Sequence, residues 1–339
     1  MSPHPAPTDL GARHVVGLGE SLLRLSAPGH QRLEQTADLA VHVGGAELNT
    51  LIAAAALGVP ATWATRLADN PLGRRIAAHS AAYGVRPQVD WDAGARAPLY
   101  FVEHGVPPRP AEVLYDRSGT AMTRLSPDTF VWKDLVAGSA AAVSTGITCA
   151  LGEGPARAVT AFFGAARDAG SLTVFDVNHR AKLWSWEQAV PVLRAVLPHV
   201  DLLLAGRDDL LRLVPGADPG ADQVTLARRA IEVYGHETVI LRETSQLPGR
   251  RVATAVTAVT ADAEYAGRAY EADVVDAFGA GDAALGVLLA SRLAGDDPAT
   301  TVDKAAWAGA FQHTLPGDVC LIRPSDLTRR GAPARRILR

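Results

Sequence analysis

Late in the chain, Gly279-Ala280-Gly281-Asp282 stands directly before the apolar run Ala283-Ala284-Leu285-Gly286-Val287-Leu288-Leu289. Residues with almost no side chain at the start of a helix let several backbone N–H groups converge on one anion. Gly279, Ala280 and Gly281 are therefore a candidate anion hole. Asp282 closes the turn, and a carboxylate beside an amide nest repels a resting anion, so its better use is to take a proton from an attacking hydroxyl. Together these residues suggest phosphoryl transfer, with the backbone from Gly279 to Asp282 cradling the donor's phosphate. The same residue types also make an ordinary helix cap.

A second constellation lies near the N-terminus. Gly44-Gly45 permits a tight turn and close backbone approach, and the Ala/Leu-rich run that follows is a strong helix former, stopped by Gly58 and Pro60. Asn is a poor helix-interior residue whose amide competes for backbone groups, so Asn49 reads as a polar group facing the glycine turn; an exposed Asn on a helix surface is the plainer alternative. Between the two motifs, Tyr100 and Tyr115 offer hydroxyls and flat apolar faces, while Arg117 and Arg180 offer guanidinium forks suited to a carboxylate. The competing readings are a surface salt bridge for Arg117 and a capping role for Asp176 or Asn178.

These residues need a scaffold that brings distant segments together. His14-Val15-Val16-Gly17-Leu18-Gly19 reads as a buried first strand, followed by a polar, broken stretch over 24–42. From Gly138 onward, β-like runs ending near Gly146, Asp176, Ala205 and Leu241 alternate with helix-like runs at about 155–169, 188–197 and 224–234. That alternation predicts an α/β fold, a mostly parallel sheet flanked by helices, with ligands at the carboxyl ends of the strands. Over 87–125 the pattern changes to short β-like pieces around a Pro-rich turn, which predicts a small β lid over the substrate.

Composition bounds the function. The chain of 339 residues suits one large α/β domain with an appendage. A net charge of −3 gives no basic field for nucleic acid. Cys149 and Cys320 are too few for a disulfide framework or zinc site, which points to a reducing compartment. No apolar run is long enough for a bilayer, and the Pro-rich start lacks the apolar core of a signal peptide. The expectation is a cytoplasmic protein with a small-molecule substrate and no nucleic-acid or membrane partner. Exposed strand edges on the lid would gain from pairing in a homo-oligomer.

Asp276-Ala277-Phe278-Gly279-Ala280-Gly281-Asp282 resembles the Asp-Thr-x-Gly-Ala-Gly-Asp motif of the ribokinase-like (PfkB) carbohydrate kinases, with Ala277 where that family usually has Thr. The Gly44-Gly45…Asn49…Leu57-Gly58 segment resembles the family's N-terminal motif. Within the family, Tyr100-Phe101-Val102-Glu103, Tyr115-Asp116-Arg117, Asp176-Val177-Asn178-His179-Arg180 and His313-Thr314-Leu315-Pro316-Gly317-Asp318 together look like the 2-keto-3-deoxygluconate kinases. The resemblance runs from about His14 to Leu327. It implies the ribokinase-like fold, ATP and Mg²⁺, a kinase domain over 13–327 with a discontinuous lid at about 21–43 and 95–118, a flexible tail over 1–12 and a basic tail over 328–339. The His313 to Asp318 loop reads either as a helix terminator or as a loop beside the nucleotide.

Members commonly hold the metal through water with Asn-x-x-Glu. Here that place reads Gly206-Arg207-Asp208-Asp209, which puts Asp209 where Glu would be. Many members also carry a glycine-bearing turn near the adenine, where this chain has Leu241-Arg242-Glu243-Thr244-Ser245.

The reaction implied is ATP-dependent phosphorylation of the primary hydroxyl of 2-keto-3-deoxygluconate. Gly44, Gly45, Asn49, Tyr100, Tyr115, Arg117 and Arg180 would hold the sugar acid, with Asp282 as base. At a helix N-terminus the dipole favours the carboxylate anion, so Asp282 is expected to be a weak base. The alternatives are the C4 epimer 2-keto-3-deoxygalactonate, a neutral sugar such as fructose or ribose, or a non-catalytic sugar-binding regulator. A Rossmann dehydrogenase is disfavoured because Gly17-x-Gly19-Glu20 lacks the third glycine and the acidic spacing.

Overall fold

A computed structural model describes residues 14–331, so the tail expected over 1–12 and residues 332–339 of the basic tail lie outside it. In chain order the strands are β1 (His14–Leu18), β2 (Leu22–Ser26), β3 (Ala40–Gly44), β4 (Ala61–Ala68), β5 (Val85–Asp92), β6 (Leu99–Glu103) and β7 (Glu112–Asp116), then β8 (Ser139–Thr145), β9 (Leu172–Asp176), β10 (Leu202–Leu204), β11 (Thr238–Leu247), β12 (Arg251–Val259), β13 (Glu264–Ala266) and β14 (Tyr270–Asp273).

A ten-stranded sheet runs in the order β13-β12-β11-β10-β9-β8-β1-β4-β5, with β14 pairing β12 off this path. Every neighbouring pair from β11 to β5 is parallel, while β12 pairs antiparallel with β11, β13 and β14. Apolar clusters fill both faces, one around Phe162, Phe163, Phe175 and Leu193 and the other around Leu51, Ile52, Trp63 and Leu288. This is the α/β architecture expected of strands alternating with crossover helices.

The lid is a second sheet in the order β3-β2-β6-β7. Its strand β2 corrects the expectation of a broken stretch from residue 24 onward. Arg24 makes the segment look solvated, but its charge is neutralised inside the fold, and Leu22–Ser26 forms a regular strand paired with both β3 and β6. Residues 87–92 are also corrected. They belong to β5, the edge strand of the large sheet, where Pro87 costs no ladder bond on the open side.

Two helices carry the glycine motifs. Gly45 caps the helix Ala46–Ala56, and Gly279, in the left-handed region at φ 75, caps the helix Ala280–Leu293. The helices lie so close that a Cβ on Gly286 would meet the Thr50 carbonyl and, at 2.6 Å, the Ala53 Cβ. This approach brings both positive helix N-termini to the carboxyl edge of the parallel strands, where Asp176 and Thr145 lie side by side in register.

Glu47, on the first turn of Ala46–Ala56, fixes that helix to the sheet. Its Oε1 accepts the Thr145 N–H at 3.1 Å and the hydroxyls of Thr145 and Thr148 at 2.8 Å each, whereas Oε2 has no partner among the described residues. Burial pushes its carboxyl up to about 7 against the pull of the two threonine hydroxyls. The folded state therefore holds this proton more tightly than the unfolded chain. Its stabilising contribution is complete at low pH and is lost as pH rises from the ordinary glutamate range through about 7. Glu47→Gln keeps the accepting oxygen and does not titrate. Urea unfolding at about pH 5 and about pH 8 should show the variant gaining roughly 2 kcal/mol on wild type across that interval. A stability difference independent of pH would remove Glu47 as the titrating group.

Candidate active site

The glycine turns, the lid and the strand ends close on one pocket lined by Glu20, Leu22, Gly44, Gly45, Ala46, Asn49, Tyr100, Tyr115, Arg117, Ile147, Arg180, Phe278, Gly279, Asp282 and Asp318. It therefore brings together Asp282, Gly279 and every substrate residue named from sequence. Its free volume is about 80 Å³, which suits part of one small molecule and excludes a nucleotide from the same space. A larger cavity of about 310 Å³ lies elsewhere, reaching Leu202 and Thr238 at the amino ends of β10 and β11, and it has no convergent catalytic groups.

Asp282 sits on the first turn of its helix, and its Oδ2 accepts the Asn49 Nδ2 at 2.8 Å. Asn49 thus orients the carboxylate from the neighbouring helix. Burial raises the Asp282 carboxyl above its ordinary range, against the Asn49 hydrogen bond and the charges of Arg180 and Arg242. The expectation of a weak base at a helix N-terminus is corrected in direction: burial lifts the carboxyl above the ordinary aspartate range. The N–H groups of Ala280, Gly281 and Asp282 lie in the same first turn, where no carbonyl of the helix reaches them.

The lid side is held by a buried ionic knot. Arg24 donates to Asp276 at 2.6 Å, to Asp318 at 2.9 Å and to the Ser26 hydroxyl at 2.8 Å, and its guanidinium lies 4.4 Å over the Phe278 ring. Tyr100 donates to the other Asp318 oxygen at 2.7 Å and stacks on Tyr115 at 5.8 Å. A Cβ on Gly44 would fall 2.6 Å from both Asp318 Oδ1 and the Tyr100 oxygen, so glycine is required there by close approach. A Cβ on Gly279 would overlap the Asp318 carbonyl.

Asp318 is itself among the residues that line the pocket. Sequence reading singled out its loop but could not see that Tyr100 and Arg24 capture the aspartate.

Arg117 is not a free fork. Its guanidinium pairs with buried Glu20, whose other oxygen accepts the Thr120 hydroxyl at 2.8 Å, while Arg117 Nε has no partner among the described residues. Glu20 was considered in the sequence only as part of a dinucleotide fingerprint. Arg180 is exposed, lines the pocket, and makes no side-chain hydrogen bond or ion pair with a described residue. It leaves β9 through a turn in which Asp176 Oδ1 accepts the Asn178 N–H at 3.0 Å and Asn178 takes φ 40. Asp176 is thus the turn's cap, and burial pushes its carboxyl up to about 6.

Asp209 is also a cap, accepting the Gly206 N–H at 2.8 Å at the start of the helix Arg207–Leu213. Beyond it β11 continues as a strand through Leu247 where a glycine turn had been sought, and this carries Arg242 over Gly281.

The pfkB family carbohydrate kinase model matches residues 12–320. The chain is 36% identical over 322 residues to the 2-dehydro-3-deoxygalactonokinase of Haloferax volcanii, covering 94% of this chain and 98% of that one. It is 33% identical over 310 residues to the 2-dehydro-3-deoxygluconokinase of Thermoproteus tenax, covering 90% and 89%. Among solved structures, 2-dehydro-3-deoxygluconokinase from Thermotoga maritima superposes with a TM-score of 0.89 at 30% identity, covering 94% of this chain and 97% of that one. With this match over nearly its whole length, a ribokinase-like α/β fold and a glycine-lined pocket built around Asp282, the chain belongs to the pfkB family of carbohydrate kinases.

Proposed function

We propose that this kinase phosphorylates the primary hydroxyl of 2-keto-3-deoxygluconate with ATP, giving 2-keto-3-deoxy-6-phosphogluconate. The observation that carries the reading is a pocket that holds the Asp282 carboxylate together with cationic and polar groups that keep atoms without partners among the described residues. These are the Arg180 guanidinium, Arg117 Nε and Asn49 Oδ1. Buried polar atoms without partners mark where a polar ligand belongs, and two arginines suit a carboxylate better than a neutral sugar. The names of the Thermoproteus tenax and Thermotoga maritima proteins agree with it. The second reading is the C4 epimer, favoured by the name of the Haloferax volcanii relative.

In this mechanism the sugar carboxylate meets Arg180 and Arg117, with Tyr100 and Tyr115 beside the carbon chain and the Gly44-Gly45 turn beneath it. Asn49 holds one Asp282 oxygen, leaving the other for the hydroxyl. The hydroxyl oxygen attacks the γ-phosphorus, and its proton passes to Asp282. The new O–P bond forms as the bond to the β,γ-bridging oxygen breaks, and that electron pair leaves with ADP. The amides of Gly279, Ala280, Gly281 and Asp282 stabilise the transferring group. Asp209, whose Oδ2 accepts the Gly206 N–H, is the residue that would hold Mg²⁺ through water, and the metal would neutralise phosphate charge.

Two further parts of the proposal rest on the surface and the thiols. The outer lid strand β7 is exposed, with Leu114 49% exposed, and this edge supports pairing of two chains through their lids. Cys149 and Cys320 are free and buried, which supports a cytoplasmic setting; no helix among the described residues is long and apolar enough to cross a membrane.

Asp282→Asn preserves shape and removes the base. Steady-state kinetics should show kcat lower by about 10²-fold or more with little change in sugar affinity; turnover close to wild type would remove Asp282 from the role. Arg180→Ala separates acid from neutral substrates. Loss of a charge-assisted bond worth roughly 1.5–3 kcal/mol should lower kcat/KM for the keto-deoxy acid by about ten- to a hundred-fold and leave residual turnover of a neutral ketose nearly unchanged. An equal fall for both substrates would assign Arg180 to structure or phosphate instead.

A further inference from the structure

Arg242 stands where β11 leaves the core: Leu241 is buried, and the strand is exposed from Arg242 onward. Pairing with Val256 of β12 holds its backbone in a regular hairpin, so the side chain springs from a fixed strand. The guanidinium lies 3.1 Å from the point a Cβ on Gly281 would occupy, directly beside the amide nest. No side-chain hydrogen bond or ion pair joins it to a described residue. It is an exposed, unpaired cation against the backbone of the catalytic turn.

The surrounding charges give it a purpose. Asp176, Asp209 and Asp282 all feel the Arg242 charge, and so does His313. A triphosphate approaching three carboxylates is repelled, and the peptide amides of the nest carry only partial charges. Arg180 acts on Asp176 and Asp282 as well, but it lines the sugar pocket, whereas Arg242 does not. Arg180 therefore lines the pocket that holds Asp282, and Arg242 stands outside that lining, against Gly281.

We propose that Arg242 is a further catalytic residue, whose planar fork binds two oxygens of the donor's terminal phosphates and offsets the charge that develops as the phosphoryl group transfers. It performs from the strand the service that the amide nest cannot complete alone. The inference rests on the reading that the nest receives the donor phosphate. An exposed arginine serving only as hairpin surface would leave phosphate binding untouched.

The test compares wild type with Arg242→Ala, Arg242→Lys and Arg242→Gln. Calorimetry with ATP, with inorganic tripolyphosphate and with the keto-deoxy acid is run beside steady-state kinetics and thermal melting. Arg242→Ala should weaken ATP and tripolyphosphate binding by about ten-fold or more and lower kcat by about 10²-fold, with sugar affinity and melting temperature unchanged. Lys should recover much of the binding and less of kcat, because it supplies charge without the fork; Gln should recover neither. Polyphosphate binding and kcat within two-fold of wild type in Arg242→Ala would overturn the proposal, as would equal losses of sugar and polyphosphate affinity. Tripolyphosphate binding is read without turnover. A wild type that phosphorylates no sugar acid, yet loses tripolyphosphate on Arg242→Ala, would sink the substrate reading and leave Arg242 standing.

Discussion

The Arg24 guanidinium, 1% exposed on the lid strand β2, donates to Asp276 at 2.6 Å and to Asp318 at 2.9 Å. One lies just before the Gly279 turn and the other on the loop after the final long helix, Pro298–His313. Asp276 also accepts the Gly317 N–H at 3.0 Å, so loop, turn and lid share a single charge centre. A buried ion pair need not stabilise a protein relative to an apolar core, but removing one partner strands a buried charge at a cost of about 3–5 kcal/mol. The lid therefore cannot slide over the nest without a large penalty. The placing of Tyr100, the exclusion of a Cβ at Gly44 and the seating of Gly279 on the Asp318 backbone all follow from that constraint.

Around this knot, burial and charge are balanced differently for each carboxylate. Asp318 is held by Arg24 and Tyr100 and serves as framework. Glu47 is fully buried, and burial keeps its proton up to about 7 against the pull of the Thr145 and Thr148 hydroxyls. Asp282 is desolvated yet oriented by Asn49 and in reach of two arginine charges. Burial and the neighbouring positive charges thus push its proton affinity in opposite directions, with burial the larger.

What was legible in the sequence was local. Glycines that a backbone approach demands, an apolar helix behind them, and strands alternating with helices are written in neighbouring residues, so the turn at Gly279, the Gly44-Gly45 turn and the α/β sheet could be read directly. Arg24 could not, because its meaning depends on Asp276 and Asp318, which lie 252 and 294 residues away; alone it made a strand look like a solvated loop. Glu20 was hidden for the same reason, its partner Arg117 standing 97 residues on. Pro87 disguised an edge strand, because nothing local tells an edge from a loop. Asp209 and Asp176 were visible as carboxylates near strand ends, and only hydrogen bonds to Gly206 and Asn178 showed that each caps a turn. Arg242 stood in a segment noticed for a missing glycine turn, and the hairpin that replaces the turn is what aims it at Gly281.

The proposed activity is that of a sugar-acid kinase acting on a primary hydroxyl. Its most direct measurement is kcat/KM of the wild-type protein with ATP and each of 2-keto-3-deoxygluconate, its galacto epimer, gluconate, fructose and ribose, with each product identified by phosphorus NMR. The account predicts that the keto-deoxy acids lead, 2-keto-3-deoxygluconate first, and that the product is a phosphate ester on the primary hydroxyl. Preference for fructose or ribose, an ester at another position, or no ATP-dependent ester from either keto-deoxy acid would contradict it.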